Sequence, residues 1–245
     1  MVAPRGGRAC KTRKGYTGRC AGLGSKSRRD TRMKIGVLGS GDVGRTLGAG
    51  LATRGHDVTL GTRSPDKEAI QDWAAKSGPR TSVGTFEEAA SFGDLVIVAT
   101  RWDGTENALK LAGQSNLDGK VVLDATNPLT MDGGELALAL GFSDSGGEQV
   151  QRWIPGGRVV KAFNTVGAYH MVSPGFAGGP PDMFIAGDDA SAKKVVAELA
   201  SSLGWSVVDL GPLRRARLLE PLAMVWIQHM IDTKSRDHAF KLLRK

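Results

Sequence analysis

The feature that most constrains this chain is a glycine turn set between an apolar run and a helical pattern. Residues 33–39 read MKIGVLG, a short apolar stretch of the kind that forms a strand buried on both faces. Val43, Leu47 and Leu51 then recur every four residues in a stretch ending at Arg54, which predicts a helix. Between the two lies Gly39-Ser40-Gly41-Asp42-Val43-Gly44, the spacing G-x-G-x-x-G. Glycines also fill ordinary turns, but here the motif ends a strand and opens a helix. In that context Gly39 permits a tight turn, Gly41 lets a pyrophosphate approach the backbone, and Gly44 lets the helix lie on the strand. The helix N-terminus offers free N–H groups and partial positive charge. The first turn therefore predicts a dinucleotide site.

The rest of the body repeats the rhythm. HDVTLG (56–61) predicts a second strand, and DKEAIQDWAAKSG (66–78) a polar helix closed by Gly78 and Pro79. A short strand is expected at Thr81 to Val83, then a helix over Glu87 to Ser91 with Thr85 as its N-cap. GDLVIVAT (93–100) and KVVLDAT (120–126) read as buried strands joined by a helix through Ala108 and Leu111. Residues 128–157 are less regular: NPLT and a short alanine- and leucine-rich stretch carry no clear pattern, and GFSDSGG (141–147) reads as a loop that either covers a site or is simply a surface loop. Further strands are expected at RVVKAFN (158–164), MFIAG (183–187) and WSVVDLG (205–211). Val195, Val196, Leu199 and Leu203 mark a helix opened by Asp188 or Asp189. Leu213 to Met230 predicts a helix apolar almost all round, started or kinked by Pro221, either buried or in a homodimer contact. The alternation predicts an α/β fold: a doubly wound, mostly parallel sheet with helices on both faces.

Charge divides the chain. The net charge of +8 suggests nucleic acid until its distribution is read. Residues 1–32 carry ten Lys and Arg against one acid, whereas 33–245 carry 23 against 24. The tail is basic, glycine-rich and poor in large aliphatics, so it is expected to be disordered. It reads as a translated upstream extension with Met33 as the working start, as an organelle-targeting peptide, or as a nucleic-acid-binding arm. For the near-neutral body no nucleic-acid partner is expected. Cys10 and Cys20 both lie in the tail, so the body offers no thiolate metal site and no cysteine nucleophile. The longest apolar candidate, Leu218 to Ile231, is 14 residues and carries Glu220, too short and too polar for a membrane span. A cytoplasmic location is expected. His56, His170, His229 and His238 show no metal-ligand spacing, and no serine-triad motif is present.

The end of the second strand selects the dinucleotide. An NAD site places a carboxylate there to bind both ribose hydroxyls. This chain has Gly61-Thr62-Arg63-Ser64, with Lys67 just beyond, and Asp57 lies too early. A guanidinium, hydroxyls and an ammonium suit a 2′-phosphate, so NADP is expected.

Four stretches carry a wider likeness: residues 33–64, VVLDATNPL (121–129), VVKAFNTVGA (159–168), and the span from FIAGDD to LGPLRRARLLEPLAMVWIQ (184–228). Together they resemble the coenzyme F420-dependent NADP oxidoreductases over nearly all of residues 33–245. The resemblance implies a Rossmann-type domain (33–165) with a small C-terminal α/β part (166–245) completing the acceptor site. It implies NADP binding and reversible hydride exchange with a deazaflavin, coenzyme F420, as co-substrate. It further implies that Ser40 to Val43 touch the pyrophosphate region, and that Thr62, Arg63 and Lys67 hold the 2′-phosphate.

Ligands of a doubly wound sheet sit at the carboxyl ends of its strands. Thr100 to Trp102, Thr126 to Leu129 and Ala162 to Val166 leave those ends, and are expected around the nicotinamide. Thr100 and Ala162 join the cofactor residues. Asn127, Asn164 and Thr165 are acceptor-site candidates with Ala162; each Asn either bonds a ring substituent or caps a turn. Trp102 either stacks on a ring or packs in the core. Glu220 is expected to pair with Arg217, three residues earlier. No side chain is expected to do covalent or metal chemistry: catalysis would be positioning. Besides the deazaflavin reductase, the residues allow a non-catalytic NADP sensor, or an NADPH-dependent reductase of a flavin, quinone, ferric chelate or imine.

Overall fold

The computed structural model describes residues 32–243 and residue 245. The expectations for the basic tail and its two cysteines lie outside the described residues, Arg32 excepted.

The chain runs β1 (Lys34–Leu38), α1 (Asp42–Thr53), β2 (Asp57–Gly61), α2 (Glu68–Ser77), β3 (Thr81–Gly84), α3 (Phe86–Phe92), β4 (Leu95–Val98), α4 (Trp102–Ala112) and β5 (Val121–Asp124). It continues with β6 (Leu129–Asp132), β7 (Glu135–Leu138), α5 (Gly146–Trp153), β8 (Arg158–Lys161), β9 (Asp182–Gly187), α6 (Ala190–Ser202), β10 (Ser206–Asp209) and α7 (Ala216–Thr233). Eight strands form one sheet in the order β10-β9-β8-β5-β4-β1-β2-β3. Pairing is parallel except between β8 and β9. The fold is the expected Rossmann-type α/β architecture. β9 reverses direction because no crossover helix separates it from β8, and a parallel return needs one. The C-terminal residues 166–245 thus extend the same sheet. No helix among the described residues is long and apolar enough to cross a membrane.

Central strands are apolar because both faces are covered. Every residue of β4 (LVIV) and β5 (VVLD) is buried. One core cluster joins Ile35, Val37, Leu47 and Leu51 to Phe163 and Ile185, and another joins Leu38, Val96 and Val98 to Leu109, Val150 and Leu213. Local signals fixed several boundaries. Thr85 caps α3 with a reciprocal bond to Glu88, and Asp189 caps α6 by accepting from the Ala192 N–H.

Two stretches differ from expectation. Residues 128–157 hold a β6–β7 hairpin and the helix α5 where no element was assigned, and the loop expected at GFSDSGG ends at Ser145, with α5 starting at Gly146. Gly133 and Gly134, with φ of 56° and 90°, make the hairpin turn between residues that mostly face solvent. Ser145 caps α5 by accepting from the Glu148 N–H. The Ser-x-x-Glu signal was present, but two glycines at the helix start masked it. The last helix begins at Ala216, after a 3-10 turn at Leu213–Arg215, and Pro221 lies inside it rather than at its start. It is not apolar on every covered face: Ala216, Leu219, Glu220, Ala223 and Trp226 are buried, while Leu218, Val225 and Ile231 are exposed.

Candidate active site

The turn after β1 opens a cavity of about 550 Å³, a size suited to a cofactor. Gly39, Ser40, Gly41, Asp42 and Val43 form one wall, Thr62 and Arg63 a second, and Thr100, Arg101, Asp103, Gly104 and Asn107 a third. Gly39 has a φ of 124°, and a Cβ there would meet the Ala99 carbonyl oxygen at 2.5 Å, so only glycine makes this turn. A Cβ on Gly44 would meet the Gly39 oxygen at 1.9 Å, which shows how closely α1 approaches the strand end. Gly44 is buried and does not itself line the cavity. A Cβ on Gly41 would meet nothing within 4 Å, so it would project into open space at the α1 N-terminus. That is the shape a pyrophosphate requires.

The second wall is cationic and uncommitted. Thr62 is buried and accepts bonds from the Ser40 hydroxyl (3.2 Å) and the Ser64 N–H (3.4 Å). Arg63, Ser64 and Lys67 are exposed, and no carboxylate pairs with Arg63 or Lys67 among the described residues. Asp57 is occupied elsewhere: hydrogen bonds from Arg32, then from Arg80, hold its carboxyl below the usual range despite some desolvation. The residues present fit NADP.

The third wall was read in part: Thr100 and Arg101 lie in the expected Thr100 to Trp102 segment, while Asp103, Gly104 and Asn107 were missed by sequence reasoning. Arg101, the residue that caps α4, and Gly104 and Asn107 within α4 line the cavity, with Phe86 from the start of α3 beside them. Thr100 turns inward, its hydroxyl 2.8 Å from that of buried Thr105. Trp102 does not line this cavity; it packs against Trp153 with ring centroids 5.3 Å apart.

Farther along the carboxyl ends, Asn127 after β5 and Asn164 after β8 bind one another. The Asn127 amide donates to the Asn164 carbonyl (2.8 Å), and the Asn164 amide donates to Asn127 Oδ1 and to the Leu219 carbonyl of α7, both at 3.0 Å. Asn164 is buried, and its Oδ1 has no hydrogen-bond partner among the described residues. The residue before it, Phe163, is buried with a φ of 61°. A bulky side chain in the left-handed region costs on the order of 1–3 kcal/mol, and such strain gathers at functional segments. None of Asn127, Ala162, Asn164 and Thr165 lines the glycine-turn cavity, and Ala162 is the most deeply covered. Its methyl is fully buried in the core with Phe163 and Val166, so it presents no side-chain surface to the cavity. Thr165 is also buried. Bulky changes at Ala162 would disturb the core before they narrowed a site.

The expected Arg217–Glu220 pair does not form. Arg217 instead makes a two-pronged pair with Glu148 of α5, at 2.8 and 2.6 Å. Its hydrogen bonds are the largest cause holding the Glu148 carboxyl below its usual range. Glu220 lies in a buried cluster that sequence reasoning missed. Lys161 Nζ donates to Asp124 Oδ2 (2.7 Å) and to the Thr126 carbonyl (2.9 Å), and pairs with Glu220 Oε1 (2.8 Å). Glu220 also accepts the Gly146 and Gly147 N–H groups at the α5 N-terminus, at 2.8 and 3.0 Å. Asp124 Oδ1 accepts from the Thr126 N–H and hydroxyl. Burial opposes the Lys161 ammonium, but Asp124 and Glu220 outweigh it and hold its pKa above the ordinary lysine range.

The family profile described as "NADP oxidoreductase coenzyme F420-dependent" matches residues 34–128, which hold the glycine turn, the cationic wall and α4. The F420-dependent NADP reductase of Methanocaldococcus jannaschii is 30% identical over 222 residues, covering 86% of this chain and 98% of that protein. The chain belongs to the coenzyme F420-dependent NADP oxidoreductase family. A solved structure from Arthrobacter sp. FB24, described as a candidate F420-dependent NADP-reductase, is 40% identical with a TM-score of 0.82, covering 86% of this chain and all of that one. The metalloreductase STEAP3 of Rattus norvegicus is 32% identical over 192 residues, 78% of this chain. This chain spans only 36% of that relative's length.

Proposed function

We propose that this member of the family moves hydride between NADP(H), held in the glycine-turn cavity, and a deazaflavin of the coenzyme F420 class held beside Asn127, Asn164 and α7. The observation that carries the donor side is the wall of Thr62 and Arg63, with exposed Ser64 and Lys67 just beyond it in the chain, which offers cations and hydroxyls where an NAD site has a carboxylate. The acceptor side rests on the likeness to the F420-dependent NADP reductase, which runs the length of both folds. Hydride leaves carbon 4 of the dihydronicotinamide with its electron pair and bonds to the deazaflavin ring carbon, and a solvent proton completes the reduced ring. The protein holds the rings at reacting distance and keeps water out. A non-catalytic sensor would bind NADPH and leave it unoxidised.

A second reading is favoured by the likeness to the metalloreductase, which covers most of this chain. It assigns the electrons to a flavin or ferric chelate. The test is NADPH oxidation against a panel of coenzyme F420, FMN, FAD, a quinone and ferric chelates. Turnover is expected with coenzyme F420. Oxidation by a flavin or ferric chelate alone supports the second reading, and oxidation by none supports the sensor.

Arg63 sets the cofactor preference in this account. Arg63→Ala is expected to weaken NADPH binding by about 1.5–3 kcal/mol, the range for a hydrogen bond to a charged group, and to leave NADH nearly unchanged. Fluorescence titration with both cofactors measures it. Equal losses for both would remove the 2′-phosphate from this wall.

A further inference from the structure

The ends of β5 and β8, the start of α5 and the middle of α7 meet on one buried set of charges. Lys161 spends its three ammonium protons on Asp124, Glu220 and the Thr126 carbonyl. Glu220 spends both oxygens on α5 N–H groups while one also faces Lys161. α7 is thereby fixed in depth against the sheet at residue 220. The preceding carbonyl, that of Leu219, receives one proton of the Asn164 amide, and Asn127 Oδ1 receives the other.

With both N–H bonds committed, Asn164 can turn only its oxygen toward a further partner. That oxygen is buried and has none among the described residues. An unmet buried acceptor costs free energy, which a ligand N–H would recover. Asn164 follows Phe163 in the chain, and the positive φ of Phe163 is held by the core that surrounds it.

We propose that Glu220, anchored by Lys161, is a positioning residue: it sets the Leu219 carbonyl, which orients Asn164 so that Oδ1 accepts the carboxamide N–H of the nicotinamide. This rests on the proposed NADP site and extends it to the nicotinamide end. Glu220 touches no ligand and acts through Asn164.

The experiment compares NADPH with adenosine 2′,5′-bisphosphate, which carries the adenosine half of the cofactor without the nicotinamide. Both are titrated by calorimetry into the wild type, Asn164→Ala, Glu220→Gln and the double variant. Glu220→Gln would turn an amide donor toward Lys161 or an α5 N–H, so α7 shifts. Each single substitution is expected to weaken NADPH roughly tenfold, the scale of one hydrogen bond, and the double variant no more than either single. Affinity for the bisphosphate should stay at the wild-type value throughout, which a general loss of structure would not allow. Should Glu220→Gln not fold, Glu220→Asp, which retracts the charge by one methylene, takes its place with the same expected pattern. Additive losses in the double variant, an unchanged NADPH affinity in either single, or parallel loss of the bisphosphate would overturn the proposal. A wild type that binds the bisphosphate but gains nothing from the nicotinamide end also overturns it. One that binds neither ligand overturns the NADP site as well.

Discussion

Gly41→Val is expected to lower affinity for both NADPH and NADH by roughly 100-fold, about 2.7 kcal/mol, with little change in melting temperature. The two halves of that expectation come from one measurement of space. A Cβ at this position meets no protein atom within 4 Å, and the backbone is extended at a φ of −75°, so the folded chain accepts a β-branched residue. The same open volume lies at the α1 N-terminus, where free N–H groups face the cavity, and a valine would occupy the place of the pyrophosphate. Calorimetry on the folded variant checks it. Near-normal cofactor affinity would mean that the phosphates bind elsewhere.

Lys161→Met is expected to destabilise the protein by about 3–5 kcal/mol in urea denaturation at neutral pH, because it leaves two carboxylates buried without their counter-charge. Asp124 and Lys161 are fully buried and Glu220 nearly so, at 1% exposure, so water cannot replace the ammonium. The pair of carboxylates would have to take up a proton or open the contact between α5 and α7. The pH dependence of the wild type follows from the raised Lys161 pKa. A base whose folded pKa lies above its unfolded value gives its full stabilisation below the unfolded value, about 10.4 for lysine. That stabilisation is lost as pH rises through the folded pKa. The contribution of Lys161 is thus intact at neutrality and erodes in strong alkali. A loss under about 1 kcal/mol in the variant would contradict the accounting for this cluster.

What could be read before folding was what depends on near neighbours in the chain. The glycine turn is a six-residue geometry flanked by its own strand and helix, and the Thr85 cap reaches three residues. The parallel sheet followed from apolar runs such as LVIV alternating with amphipathic stretches. The Lys161 cluster was opaque because its members are 37 and 59 positions apart in sequence. Glu220 was therefore matched to Arg217, the nearest cation on its own helix, while the fold gave Arg217 to Glu148. A signal did exist. A lysine within VVKAF and an aspartate within VVLDA interrupt strands that are otherwise wholly apolar, and charges in such places must be paired. The β6–β7 hairpin was hidden differently: its strands face solvent and carry little apolar pattern, so only Asp132-Gly133-Gly134 marked the turn.

The central claim, direct passage of hydride from NADPH to a deazaflavin, is tested by following the hydrogen itself. The protein is supplied with NADPH deuterated at both carbon-4 positions, together with coenzyme F420 in ordinary water, and the reduced deazaflavin is analysed by mass spectrometry and NMR. One deuterium is expected at the ring carbon of the reduced acceptor, with a slower rate than for unlabelled NADPH. Solvent hydrogen at that carbon, or reduction of a flavin or ferric chelate with none of coenzyme F420, would contradict it.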